Sequence, residues 1–433
     1  MIDIFTGLRA QIRTVPVVTA VGRVAAVTGG TVRIKGLDHL AAQGDRLRIG
    51  RTAGEVLQLS PDGLVALMEG PVEGLTINTK AELIGAVQIA PDNSWIGRII
   101  DPYGRPLDDR PLLPGATPRR LTSTPPPAAQ RRKLGERLET GVAVFDTLLP
   151  IVRGQRIGLF AGSGVGKSTL LAKLARGVSA DITVIALIGE RGRELREFTE
   201  HVLGPSGMAR SVIVAATSDQ SALTRRRCAS TAMAVAEHFR DQGLHVLLLA
   251  DSITRFAEAH REVALAAGES PALRGFPASL TQAIMGLAER AGPGPQFAGD
   301  ITAIFSVLVA GSDMDEPVAD IVRGVLDGHV VLDRKIAERG RFPAIDLLRS
   351  VSRSLPNAAS ADENHLIAEA RRLLGAWERA ELMVQAGLYA TGSDPAIDAA
   401  LRVWPSLDRF LAEDAPTDGI EGSFRRLRAA LAI

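Results

Sequence analysis

The stretch FAGSGVGKSTLL, residues 160–171, fits the phosphate-loop pattern, with Ala161 where the first glycine usually stands. Glycine at 162, 164 and 166 lets backbone N–H groups turn toward phosphate oxygens. The helix that STLLAKLARG predicts would aim the positive end of its dipole at the same charge. Gly162, Ser163, Gly164, Val165, Gly166, Lys167, Ser168 and Thr169 are therefore the expected nucleotide-binding residues. Lys167 would meet the β- and γ-phosphates. The Ser168 hydroxyl would ligate Mg²⁺, a hard cation that takes oxygen ligands and phosphate. The preceding run QRIGLF supplies the strand that separates this motif from a chance glycine-rich turn.

Two carboxylates end apolar runs nearby. Asp251 closes LHVLLLAD and would complete the Mg²⁺ site, although Asp is also a favoured helix N-cap. Glu190 closes ITVIALIGE. A carboxylate at the C-terminal edge of a parallel strand faces the crevice where open α/β sheets bind ligands, so it could polarise an attacking water. Arg191, Arg193 and Arg196 follow it, and an ion-paired loop glutamate explains Glu190 equally well.

These groups need a sheet to hold them. From about residue 130 to 355, short Val/Ile/Leu runs alternate with helical patterns; ITVIALIGE, HVLLLADS and ITAIFSVLVAG read as buried parallel strands. Before them, residues 17–90 read as a small β-barrel of short strands such as GTVRIKGL, GEVLQLS and GLVALMEG. Eight prolines in 102–127 make a stiff connector within 101–130. The α/β nucleotide domain spans 91–355, and a helical domain, 356–433, opens with a Ser360–Glu363 capping box. Its Leu366, Ala370, Leu373, Trp377 and Val384 share a helical face. Residues 1–16 form an arm in which Ile4, Phe5, Leu8 and Ile12 share a face and Gly7 weakens the helix; it would pack on its own domain or meet a partner or an anionic membrane surface.

Composition removes several classes. Lys and Arg (50) balance Asp and Glu (49), and aromatics are 4%, which disfavours a nucleic-acid coat and leaves few stacking platforms for bases. The single Cys228 excludes an internal disulfide framework and suits a reducing cytoplasm. No apolar run reaches membrane-spanning length.

WIGRIIDPYGRPLDDR, AGSGVGKSTLL, LIGERGRELREF, VLLLADSITRFAEAHREV, GDITAIFSVLV and RFPAIDLLRSVSRS occur in the order found in rotary-ATPase catalytic subunits. ATSDQSAL, RDQG, SDMDEPVAD and GSDPAID make the chain resemble the export ATPases of flagella and type III secretion systems, from about residue 20 onward. The resemblance implies a RecA-like P-loop domain that hydrolyses ATP with Mg²⁺, between a β-barrel and a helical C-terminal domain. It implies that Glu190 is the catalytic carboxylate, with Arg191 behind it or on the phosphate side, and that Asp251 serves the metal. Arg353 matches an arginine finger given across a subunit interface, where a planar guanidinium suits a transferring phosphate; a surface ion pair is the plainer reading. Phe342 matches the aromatic that stacks on adenine, Phe here where synthase relatives have Tyr. Arg255 and Arg261 would organise the subunit interface.

The implied partners are a homohexamer, a central stalk protein, a peripheral stator or regulator, and export chaperones with their cargo, with no nucleic acid. The implied place is cytoplasmic, peripheral at the inner face of the cytoplasmic membrane, at the export gate. Flagellar export is the leading reading and virulence-type secretion the alternative. An RNA-dependent RecA-type motor, a non-catalytic ring subunit and a proton-coupled synthase subunit are the rivals. The short tail without a DELSEED-like acidic segment departs from an ATP synthase β subunit.

Overall fold

The computed structural model describes residues 5–14, 18–309 and 314–432; Ile4 and the Ser312–Asp313 start of SDMDEPVAD lie outside the described residues. Strands β1 (Val21–Thr28), β2 (Thr31–Lys35), β3 (Arg46–Ile49), β4 (Thr52–Ser60), β5 (Gly63–Met68) and β6 (Lys80–Gly85) close a barrel in the order β1-β2-β5-β4-β3-β6. Alternation in GTVRIKGL sends Val32 and Ile34 into the barrel core with Leu47, Ile49 and Leu64. Gly29 and Gly30, both at positive φ, make the two-residue turn between β1 and β2.

A nine-stranded sheet forms the centre of the described chain. Its strands are β7 (Arg98–Ile100), β8 (Arg156–Ala161), β9 (Ile182–Glu190), β10 (Ser211–Thr217), β11 (His245–Asp251), β12 (Asp300–Leu308), β13 (Gly328–Leu332) and β14 (Ile345–Ser352), with Gly292–Pro293 pairing antiparallel to β12. The order is β14-β13-β8-β12-β11-β9-β10-β7; neighbours run parallel except β14, which lies antiparallel on β13. The runs read as buried strands are β9, β11 and β12. They are mostly apolar because both faces are covered. Ile185 and Leu187 of β9 face one core, while Val184, Ala186 and Ile188 face the other.

Helix α1 is Phe5–Thr14, α2 Lys167–Gly177, α3 Ala222–Asp241, α4 Ile253–Ala266 and α5 Ser279–Arg290. The C-terminal helices are α6 (Ala361–Gln385), α7 (Pro395–Phe410) and α8 (Gly419–Ala430). Helices α3, α4 and α5 cover one face of the sheet. On the other face, α2 shares a single core with the C-terminal helices, through Leu170 and Leu174 beside Leu373, Phe410 and Phe424. The capping box forms: Ser360 Oγ accepts from Glu363 N, and Glu363 accepts from Ser360 N at 2.7 Å. Leu366, Ala370 and Leu373 are buried, and Trp377 stacks on Trp404 of α7 at 4.9 Å.

The arm packs on its own chain, one of its two readings, but not through the expected apolar face. Phe5 and Ile12 are 59% and 72% exposed, while Gly7 is buried. A Cβ on Gly7 would lie 1.9 Å from the Pro114 carbonyl oxygen, so the helix docks through its bare glycine backbone on the proline-rich connector. That connector is pinned by ions. Arg98 donates to both oxygens of Asp108 at 2.6 and 2.7 Å. Arg290 grips Glu237 twice, and Ser123 donates to the same carboxylate.

Barrel and sheet meet at a buried charge cluster. Arg227 of α3 pairs with Glu55 of β4 and, at 3.3 Å, with Glu69; Arg226 donates to Glu55 at 2.5 Å and Arg46 to Glu69 at 2.8 Å. Tyr103 donates to Glu69, and the Arg46 and Arg227 guanidiniums stand 4.1 and 4.6 Å from its ring centre. Among the described residues, no helix is long and apolar enough to cross a membrane.

Candidate functional site

Strand β8 delivers the loop to the C-terminal edge of the sheet, and Gly166 begins α2 at φ +85°. Gly164 sits at φ +78°, where a side chain would be strained. A Cβ on Gly164 would meet nothing within 4 Å, whereas one on Gly166 would come within 3.0 Å of the Phe342 ring. The loop is thus open toward phosphate and bordered by an aromatic. Phe342 is 48% exposed, which leaves part of its ring for a base.

Ser168, Thr169, Glu190, Glu194 and Asp251 line one cleft of about 210 Å³, with Leu187 and Phe198 among its apolar walls. Strand β11 ends at Asp251, and the N-cap of α4 is Ser252, whose side chain accepts from Arg255 N. Asp251 is therefore free of the capping task. It is buried, accepts from Ser306 Oγ at 2.6 Å and forms an ion pair with Lys167 Nζ. Glu190 ends β9 beside them. Burial, then the Asp251 charge, then a hydrogen bond shared with Glu194, push its carboxyl up to about 7, against the attraction of Lys167.

Other expected residues stand elsewhere. Arg191 is exposed and lies 3.6 Å from Glu194, outside the cleft lining. Arg353 is exposed just after β14, where its N–H donates to the Asp327 carbonyl at 3.0 Å. Ser352 pairs with Gly328 at the start of β13, and β13 runs parallel to β8. Arg353 therefore sits at the end of the sheet away from the phosphate loop, more than about 10 Å along the strands. Arg255 pairs with Glu258 at 3.0 Å, its Nε buried without a partner, and the Arg261 guanidinium stands 5.0 Å from the Phe276 ring centre.

Two site residues escaped the sequence reading. Glu194 lies four positions after Glu190 across a strand-to-helix turn, a spacing that brings two carboxylates together. Ser306 is, with Thr302, one of two buried polar residues in the mostly apolar ITAIFSVLVAG, and that departure was its signal.

The donor set suits Mg²⁺. Ser168 and Asp251 offer oxygen only and share the cleft with the phosphate loop. Among the described residues no group of three or more His, Cys, Asp or Glu gathers to hold a metal alone. A cation shared between phosphate oxygens, water and one or two protein oxygens needs none.

A glycine-turned loop between a parallel strand and a helix, with carboxylates at neighbouring strand ends, defines a P-loop nucleotide hydrolase. The nucleotide-binding domain of the ATP synthase alpha/beta family matches residues 141–352, and the T3SS EscN ATPase C-terminal domain matches residues 359–427. The flagellum-specific ATP synthase of Caulobacter vibrioides is 44% identical over 420 residues, 94% of each chain. The type 3 secretion system ATPase of Xanthomonas euvesicatoria is 40% identical over 422 residues, 95% of this chain and 94% of that protein. The assembled ATPase EscN of the enteropathogenic E. coli type III secretion system superposes with a TM-score of 0.88 at 37% identity, covering 95% of this chain and all of that one. Its complex with the central stalk EscO gives 0.85 at the same identity and coverage. The chain belongs to the family of flagellum-specific ATP synthases and type III secretion ATPases.

Proposed function

We propose that this chain is a Mg²⁺-dependent ATPase that works in a homohexameric ring and energises protein export through the flagellar type III apparatus. One observation carries the reading. Ser168, Glu190 and Asp251 line one cleft and Lys167 pairs with Asp251, while Arg353 sits at the far end of its own sheet. A catalytic arginine so placed can serve only another subunit's site.

The backbone of residues 162–169 cradles the phosphates, and the Phe342 ring stacks on the base. Lys167 leaves Asp251 for the β- and γ-phosphate oxygens. Asp251 and Ser168 are then available to Mg²⁺, which, when bound, neutralises phosphate charge. Glu190 accepts a hydrogen bond from the attacking water and orients it in line with the γ-phosphate; with a pKa near 7 it is basic enough to take the water's proton. Arg353 of the adjoining subunit stabilises charge on the transferring phosphoryl group. The products are ADP, phosphate and a proton. Arg191 supports this arrangement from outside the cleft.

Ring formation draws support from the assembled state of EscN, and a central stalk partner from the EscN–EscO complex. A peripheral stator or regulator, export chaperones with cargo, and a cytoplasmic position against the inner face of the membrane complete the proposal. The flagellar branch draws support from the 44% identity to a flagellum-specific relative, against 40% to a type 3 secretion one.

Mixing tests the shared site. Arg353→Ala and Lys167→Ala subunits are each expected to be inactive alone and to regain partial ATPase activity in mixed rings, where some interfaces hold both intact groups. Mixed assembly shown by mass photometry without any recovery would sink the reading.

A further inference from the structure

The loop between the short helix Arg334–Glu338 and β14 has two faces. On one, Phe342 sets its ring beside Gly166 of the phosphate loop. On the other, the neighbouring arginines reach the C-terminal helices. Arg339 pairs with Glu381 of α6 at 2.9 Å and lies 5.9 Å from the ring centre of Trp404 on α7. Arg341 extends to Asp408, one turn beyond Trp404 on the same helix.

Arg341 is incompletely satisfied. It is 8% exposed, and its Nη2 donates to the Ile345 carbonyl at 2.7 Å. Its Nε stands 3.5 Å from Asp408 Oδ1 without a hydrogen bond, and neither Nε nor Nη1 has a hydrogen-bond partner. A buried arginine kept only for packing would have its donors met, because unmet charged donors in the interior are costly. The gap to Asp408 exceeds a charge-assisted hydrogen bond by roughly 0.7 Å. A small advance of the loop toward α7 would close it and satisfy Nε.

We infer that Arg341 is a positioning residue for the nucleotide: a base stacked on Phe342 seats the loop so that Arg341 closes onto Asp408, and the Arg341–Asp408 pair holds the ring in its stacking pose while carrying base occupancy into α6 and α7. The inference rests on the reading of Phe342 as the base platform. It gives Arg341 no part in holding phosphate, which belongs to Lys167 and the loop at the opposite side of Phe342. Trp377 and Trp404, stacked between α6 and α7 beside Arg339, report the far end of this linkage.

The test uses the full chain, with ADP and pyrophosphate as probes, calorimetry for affinity and intrinsic tryptophan emission for the helices. Arg341→Met and Asp408→Asn are each expected to weaken ADP binding by about three- to tenfold and to remove the emission change that ADP causes in the parent protein. Pyrophosphate affinity is expected to stay unchanged in both, and Arg341→Lys to restore part of the ADP affinity. Asp408 is the more exposed partner, so its variant reads the linkage if Arg341→Met fails to fold. Phe342→Ala weakening ADP while both linkage variants bind ADP and respond like the parent would overturn the inference. Equal weakening of ADP and pyrophosphate would overturn it too, as general damage to the site. Unchanged ADP affinity in Phe342→Ala would show that the base platform itself was misassigned, and the linkage would fall with it.

Discussion

Glu190 keeps its proton to about pH 7 because three neighbours in the fold oppose its charge: the apolar wall, Asp251 and Glu194. If the ionised form is the one that orients water, kcat/KM should fall about tenfold for each step of one in pH below 7. A pH–rate profile checks this, and Glu194→Gln should move the acid limb to lower pH by removing one opposing charge. The same shift acts on stability with a definite sign. The folded protein holds this proton more tightly than the unfolded chain, whose carboxyl titrates near 4.5. The favourable contribution is therefore full below about pH 4.5 and is lost as pH rises through 7. Glu190→Gln, which cannot ionise, should raise Tm at pH 8, by an amount corresponding to about 1–3 kcal/mol, and leave it nearly unchanged at pH 4.5. At this scale the sequence was most readable where backbone and side chain are bound together in a motif. Lys167, Ser168 and Asp251 stand where their strand–loop contexts placed them. Glu194 and Ser306 carried weaker local signals, a carboxylate spacing and a polar residue in an apolar run, and their place depends on neighbours across a turn or distant in the chain.

Elements were legible in proportion to their burial. Strands β9, β11 and β12 announced themselves as apolar runs because both faces of the sheet are covered. Strand β7 is three residues long, too short for any period, and gains its identity only by pairing with β10. The antiparallel direction of β14 left no trace either, since alternation does not encode direction. Helix α1 was legible as a helix, but its docking face was not. Hydrophobic spacing pointed to Phe5 and Ile12, and steric access chose Gly7 instead. Gly7→Ala should therefore detach α1 even though alanine favours helix. Limited trypsin digestion should cut at Arg9 and Arg13 faster in the variant, while the ATPase core stays intact.

Charged junctions tie the barrel and the connector to the central sheet. The Arg227 cluster fastens the barrel to α3, on which part of the sheet's packing depends. Arg227→Met should destabilise the junction by about 3 kcal/mol, because Glu55 and Glu69 stay buried with less compensation. Urea unfolding should then separate into a barrel transition and a sheet transition, and Glu55→Gln added to Arg227→Met should recover part of the loss.

The pairing of β7 also has a consequence during synthesis. The barrel is complete by Gly85, so it can close while most of the chain is still unmade. Strand β7 emerges next, but its partner on β10 follows about 110 residues later. At about 5–20 residues per second, the apolar edge of Ile99 and Ile100 waits on the order of ten seconds on the ribosome for a strand to lie against. The part of the sheet that emerges first is thus the strand that the finished sheet keeps at its outer edge.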